Sequence, residues 1–134
     1  MEKILIIHNK YQNIGGEDLA VKNEVELLRK HFIVDTLYFS NEINNTFLQG
    51  IWFILNQNLQ SKKILRDKIQ EFDPDIAYVH NTWFKASLGI FGVLKEKKIP
   101  TFIKLHNFRY FCTKSFHIKN HLINNKTCEA CGLE

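Results

Sequence analysis

The stretch Asn9-Lys10-Tyr11-Gln12-Asn13-Ile14-Gly15-Gly16-Glu17-Asp18 lies between an apolar run at residues 4–7 and a segment with helical periodicity. A short apolar run before a glycine turn is typical of a strand that is buried on both faces of a parallel sheet. A strand, a glycine turn and a helix N-terminus together favour an anion site, because glycine admits a close ligand and first-turn N–H groups lack intrahelical partners. The same pattern also serves simply to reverse the chain, so it does not establish a ligand site alone.

The rest of the chain alternates strand-like and helix-like segments. We predict strands at residues 3–8, 32–39, 76–80 and 101–106, and helices at about 17–31, 61–72 and 87–98. Ser61 is the predicted cap of the middle helix, and Asp73-Pro74-Asp75 is predicted to end it. This alternation predicts a Rossmann-like, doubly wound α/β domain around a parallel sheet.

Apolar periodicity predicts which helix faces are buried. The first helix should present Val21, Val25 and Leu28, widened by Leu27. The middle helix should present Ile64, Leu65, Ile69 and Phe72. A further helix, which Thr46 would cap, is predicted at residues 47–55, from Phe47 to Leu55, and is apolar nearly all round. It is either a buried element or a face that meets lipid, an acceptor or a missing partner domain.

Length and charge restrict the class of protein. The 134 residues suffice for one domain, and the net charge of +4 is spread along the chain. The short basic clusters are typical of solvated helix ends rather than of a nucleic-acid stripe, although the basic balance suits phosphorylated ligands or an anionic membrane surface. A secretory signal and an 18-residue apolar span are absent from the sequence, and the 3 cysteines are an odd number. We therefore expect a cytoplasmic protein without a disulfide framework.

Three of the predicted strands end in a histidine-asparagine pair: His8-Asn9, His80-Asn81 and His106-Asn107. Ligands of open parallel sheets bind beyond the carboxyl ends of the strands, so these pairs should meet at one rim with the glycine turn. Such side chains suit sugar hydroxyls and phosphate oxygens. A single histidine at a strand end, in contrast, is usually a structural residue.

Motifs of several other ligand classes are missing from the sequence. Gly-x-Gly-x-x-Gly does not follow the first strand, and an acidic ribose ligand does not follow the second, which argues against dinucleotide binding. The tail has Cys112, Cys128 and Cys131, which resemble a zinc knuckle that His117 or His121 would complete. The alternatives are free structural thiols, or ligands completed by residues beyond Glu134.

Three motifs resemble the N-terminal domain of family 4 glycosyltransferases, which are retaining enzymes of the GT-B fold. They are His8-Asn9-Lys10-Tyr11-Gln12-x-x-Gly15-Gly16-Glu17-Asp18, Pro74-Asp75-Ile76-Ala77-Tyr78-Val79-His80-Asn81-Thr82, and Leu105-His106-Asn107-Phe108-Arg109-Tyr110-Phe111-Cys112. The resemblance covers nearly the whole chain apart from residues 41–72, where the family varies most. Thr113 departs from it, because a proline commonly follows the cysteine.

The resemblance implies half of a two-domain enzyme. The missing C-terminal domain would hold most of the nucleotide-sugar and carry a Glu-x7-Glu motif. Gly15 and Gly16 would lie against the donor diphosphate, and His106 would act near the transferred sugar. The acceptor side would comprise Tyr11, His80, Asn81, Asn107 and Arg109. Transfer would need no divalent ion, so zinc on the cysteines of the tail, at about residues 107–134, would be structural.

The expected function is thus sugar transfer from a nucleotide-sugar to a glycan or lipid-linked acceptor in surface polysaccharide synthesis. Residues 47–55 would then suit peripheral docking on the inner membrane face. A second hypothesis is a non-catalytic Rossmann-like module that binds a phosphorylated or sugar ligand. A third is a small interaction domain held together by zinc.

Overall fold

The computed structural model describes residues 1–10, 15–40, 57–83 and 85–106. The chain divides into two compact units, Met1–Lys104 and Leu105–Glu134. The described elements of the first unit are β1 (Lys3–Lys10), α1 (Gly16–Leu28), β2 (Ile33–Ser40), α2 (Leu59–Phe72), β3 (Ile76–Asn81), α3 (Gly89–Glu96) and β4 (Thr101–Ile103). The strands form one parallel sheet in the order β2-β1-β3-β4. The predicted fold class is confirmed.

One of the two inner strands of the sheet is β1, whose side chains alternate between two apolar layers. Leu5 and Ile7 pack with residues of α2 and α3, including Leu65 and Ile90. Ile4 and Ile6 pack on the opposite face with two valines of α1, Val21 and Val25. Helices therefore cover both faces of the described sheet, which explains why β1 reads as a continuous apolar run rather than an alternating one.

Two of the predicted helix faces were too wide. Leu27 is 56% exposed and Ile64 is 39% exposed, so neither belongs to the core. At 3.6 residues per turn, Leu27 lies about 200° around the helix from Val25. Ile64 lies about 100° around α2 from Leu65, which belongs to the buried row Ser61, Leu65 and Ile69. Buried residues at i+4 spacing are enough to attach each helix to the sheet, because the helix contacts the sheet only along a narrow line.

Several element boundaries differ from the predicted ones. The cap of α2 is Asn58 rather than Ser61, because the Asn58 side chain accepts a hydrogen bond from the Ser61 N–H at 3.1 Å. The helix ends at Phe72, as expected, and Asp73 follows in the left-handed region with φ 52°. The fourth strand ends at Ile103, three residues earlier than predicted. Within the described residues, no helix combines the length and the apolarity needed to cross a bilayer.

Candidate functional site

The carboxyl ends of β1 and β3 lie side by side, as the sequence predicted for two of the three histidine-asparagine pairs. A register shift between Ile7 and His8 places His8 opposite Asn81. His8, Asn9, His80 and Asn81 are all buried, with exposures between 0% and 7%. Of the third pair, His106 belongs to the second compact unit and its side chain is partly exposed, whereas Asn107 lies outside the described residues.

His8 connects the end of β1 to the first turn of α1. Its Nε2 lies 3.0 Å from Asp18 Oδ1, and the other oxygen of Asp18 accepts a hydrogen bond from the Gly15 N–H at 2.9 Å. Burial alone would raise the pKa of the Asp18 carboxyl, but the hydrogen bonds from Gly15 and His8, with the charges of His8 and Lys10, hold it below its usual 3.8. Because Asp18 contacts both His8 and the Gly15 N–H, His8 helps to position the start of α1 through this carboxylate.

Asn9 points to the opposite face of the sheet and holds the loop that follows β3. Its Oδ1 accepts hydrogen bonds from the N–H groups of Lys85 at 3.1 Å and Ala86 at 3.0 Å. Its Nδ2 donates to the Lys10 carbonyl at 3.2 Å. All the polar atoms of this buried amide side chain are thus engaged, and in this conformation Asn9 is a structural residue.

His80, near the end of β3, faces α1 within a cluster centred on Glu24. The ring packs on Tyr78 with centroids 4.4 Å apart, and its Nε2 is 3.7 Å from Glu24 Oε2. Glu24 also accepts a hydrogen bond from the Tyr78 hydroxyl at 2.9 Å and forms an ion pair with Lys104. Burial and the neighbouring Glu24 raise the pKa of Tyr78 to about 12. At 2% exposure, His80 contributes to the contact between α1 and the sheet.

Asn81 connects three segments at the carboxyl edge. Its Nδ2 donates to the Asn9 carbonyl at 3.2 Å and to Glu17 Oε2 at 3.4 Å. Its Oδ1 accepts a hydrogen bond from the Trp83 N–H at 3.0 Å. The amide thus fixes the positions of a carboxylate on α1 and of an aromatic residue directly after β3. Sequence reasoning did not single out Glu17 or Trp83, although an aromatic two residues after a polar strand end was a usable signal.

The backbone requires glycine neither at Gly15, which caps α1, nor at Gly16, the first residue of the helix. Gly15 is extended at φ −112° and ψ 178°, a conformation open to any residue. A Cβ on Gly16 would meet nothing within 4 Å among the described residues. The first turn also carries Glu17 and Asp18, whose carboxylates complement the positive end of the helix dipole. The two glycines leave space for a ligand, but the negative charges of Glu17 and Asp18 do not favour a strongly anionic one.

The remaining predicted site residues lie outside the described part of the chain: Tyr11, Asn107, Arg109, Cys112, Cys128 and Cys131. The apolar segment 47–55 lies outside it too. Among the residues that the structure describes, no three histidine, cysteine or acidic side chains cluster closely enough to hold a metal ion.

Comparisons of this chain with protein-family models, with curated proteins and with solved structures found no match. The residues and their geometry therefore carry the functional argument.

Proposed function

We propose that this chain is the acceptor-side, N-terminal domain of a retaining, family 4 glycosyltransferase of the GT-B fold. The full protein would transfer a sugar from a nucleotide-sugar to a glycan or lipid-linked acceptor during surface polysaccharide synthesis. The observation that supports this most directly is the edge built by β1 and β3. Two histidine-asparagine pairs, a bare glycine turn and an exposed tryptophan meet there at the carboxyl end of a parallel sheet, where α/β folds bind ligands.

The residue roles follow the resemblance of the motifs. Gly15 and Gly16 would face the donor diphosphate, and His106 would stabilise charge beside the transferred sugar. Tyr11, Asn107 and Arg109 would face the acceptor, with His80 and Asn81 behind them. A second domain of the natural protein would bind the nucleotide. Zinc on the cysteines would be structural, and the protein would work in the cytoplasm, docked peripherally on the membrane through residues 47–55.

The decisive experiment uses the full-length natural protein. Radiolabelled UDP-sugars and GDP-sugars are incubated with it and with a lipid extract of the source cells, and incorporation of label is measured. We expect transfer from one donor, with retention of the anomeric configuration in the product by NMR. Absence of transfer from every donor, with the protein shown to be folded by circular dichroism, would reject the proposed activity.

Two variants test the proposed contacts of the same enzyme. Gly16→Val should abolish transfer by keeping the backbone away from the diphosphate, and His106→Ala should lower turnover more than tenfold. Gly92→Val on α3 is the matched control, since a Cβ there also meets nothing within 4 Å among the described residues. Normal kinetics in Gly16→Val would remove the glycine turn from the site, and normal turnover in His106→Ala would remove that histidine.

A non-catalytic sugar-binding module is the second candidate, and a specific observation favours it. The Gly15 N–H is already donated to Asp18, and a second carboxylate, Glu17, lies in the same turn. Both features weaken attraction of a diphosphate to this helix end. Saturable binding of a neutral oligosaccharide by a full-length protein that does not turn over any donor would favour this candidate.

A further inference from the structure

Trp83 is an exposed aromatic side chain on a well-anchored loop at the carboxyl edge of the sheet. It lies two residues after the end of β3 and is 42% exposed, although its neighbours Asn81 and Thr82 are buried. An indole ring that a loop holds outside the core offers a flat apolar face over which the electrostatic potential is negative. Aromatic residues placed in this way are typical of binding contacts.

The loop after β3, described at residues 82–83 and 85–88, is anchored from two sides. The Lys85 carbonyl accepts hydrogen bonds from Asn58 Nδ2 at 2.8 Å and from Ser61 Oγ at 2.7 Å, both on the α2 side. Asn9 holds the neighbouring N–H groups from the β1 side. The Ser87 N–H closes the loop on the Thr82 carbonyl at 3.0 Å, with Ser87 in the left-handed region at φ 60°.

This anchoring has a consequence for binding. Hydrogen bonds already hold the described backbone of the loop, so a ligand that contacts Trp83 would have less of it to order. The Trp83 N–H is itself held by Asn81 Oδ1. The position of the indole attachment point is therefore set before any ligand arrives.

A carboxylate is positioned by the same asparagine. Asn81 Nδ2 lies 3.4 Å from Glu17 Oε2, so Glu17 and the Trp83 backbone share one positioning residue. Carboxylate oxygens accept hydrogen bonds from hydroxyls, and an aromatic face attracts the polarised C–H groups of a sugar ring. The negative charge of Glu17 disfavours a phosphorylated group in direct contact with its carboxylate. A neutral, hydroxyl-rich ring fits both groups.

We propose that Trp83 stacks on a sugar ring of the acceptor, that Glu17 accepts hydrogen bonds from its hydroxyls, and that Asn81 is the positioning residue for both. The proposal rests on the proposed function for its ligand class, a carbohydrate. It assigns a specificity contact that does not depend on the donor domain. Binding of a neutral oligosaccharide can therefore be measured without any transfer reaction.

The test uses the intrinsic fluorescence of the full chain. The protein has 2 tryptophans, Trp52 and Trp83, so Trp52→Phe leaves Trp83 as the sole indole reporter. Maltotetraose, cellotetraose and chitotetraose are titrated to millimolar concentration. We expect a saturable change in Trp83 emission with at least one of them, and calorimetry on the wild-type chain repeats the titration without the Trp52 substitution. No saturable binding by either method would overturn the proposal.

Variants then separate stacking from loop integrity. With the oligosaccharide that binds, Trp83→Ala should raise Kd about tenfold, which corresponds to about 1.4 kcal/mol, while Trp83→Phe should retain most of the affinity. Glu17→Gln should weaken binding several-fold. Leu88→Ala is the control, because it truncates another exposed apolar side chain of the same loop, 39% exposed. Equal affinity of Trp83→Ala and wild type would overturn the proposal.

The two proposals fail in different ways. Transfer activity with an acceptor KM that is unchanged in Trp83→Ala would leave the glycosyltransferase and remove the stacking contact. Oligosaccharide binding that depends on Trp83, without transfer by the full-length protein, would leave the contact and remove the enzyme.

Discussion

At the residue scale, adjacent polar residues at the end of β1 have different structural roles. Successive side chains of a strand point to opposite faces, so His8 meets α1 whereas Asn9 meets the loop after β3. The sequence places both at the ligand edge but does not indicate which partners they find. Those partners lie up to 77 residues away in the chain, as Ala86 does from Asn9.

Asn9→Ala should be strongly destabilising. The change removes the acceptor of the Lys85 and Ala86 N–H groups, which costs about 2–6 kcal/mol at roughly 1–3 kcal/mol for each unsatisfied group. Urea denaturation followed by circular dichroism measures the loss. Asn23→Ala is the control, since Asn23 is exposed on α1 and its truncation should stay within about 0.5 kcal/mol. A loss in Asn9→Ala no larger than in the control would show that the loop does not depend on this amide.

At the element scale, α1 is attached to the sheet by charge as well as by apolar contact. Its buried apolar residues are Val21 and Val25. In addition, two of its carboxylates form hydrogen bonds with side chains of the sheet, Asp18 with His8 and Glu24 with Tyr78. Burial raises the pKa of Glu24, but hydrogen bonds from Lys104 and Tyr78 outweigh it and the pKa lies below its usual 4.5. The attachment of α1 should therefore depend on pH.

The stability of the protein should fall as the solution is acidified. In the folded protein the pKa of Asp18 lies below its usual 3.8 and that of Glu24 below its usual 4.5. The two carboxylates therefore stabilise the fold fully at a pH above their unfolded-state pKa values, and this stabilisation is lost as the pH falls through their folded-state pKa values. We expect the urea midpoint to drop between about pH 5 and pH 3.

Glu24→Gln identifies the source of this pH dependence. The variant should lose about 1–2 kcal/mol at pH 7, where the charged hydrogen bonds are replaced by neutral ones, and show a shallower drop below pH 5. Glu26→Gln, on the exposed side of α1, is the matched control. An identical pH profile in wild type and Glu24→Gln would exclude Glu24 as a contributor.

At the scale of the molecule, the two apolar layers are built within the first compact unit. Their buried members run from Ile4 to Leu94, before the boundary at Lys104. A core made of one continuous part of the chain is the usual condition for independent folding.

Residues 1–104 expressed alone should fold. We expect a single cooperative unfolding transition and the far-UV circular dichroism of a mixed α/β protein, because every described strand pair is retained. The full chain measured in parallel is the control. Gradual, non-cooperative unfolding of residues 1–104 would show that residues after 104 are needed to complete the core.

The local sequence determined the fold class, the element order and the strand ends at which polar residues gather. Apolar runs, helical periodicity and the Asp73-Pro74 stop are short-range signals, and each acts within about one element. They were less accurate for helix faces, because the width of a buried stripe depends on what packs against it, as Leu27 and Ile64 show.

Tertiary structure alone decided how the polar residues are used. It joined Asn9 to the loop after β3, His8 to Asp18, and Asn81 to both Glu17 and Trp83. Hydrogen-bond partners of this kind are brought together by strand register and helix docking, so local composition does not specify them. For the same physical reason, His8 and His80, which the sequence presents as ligands, lie buried beneath the edge, whereas Trp83 is exposed on it.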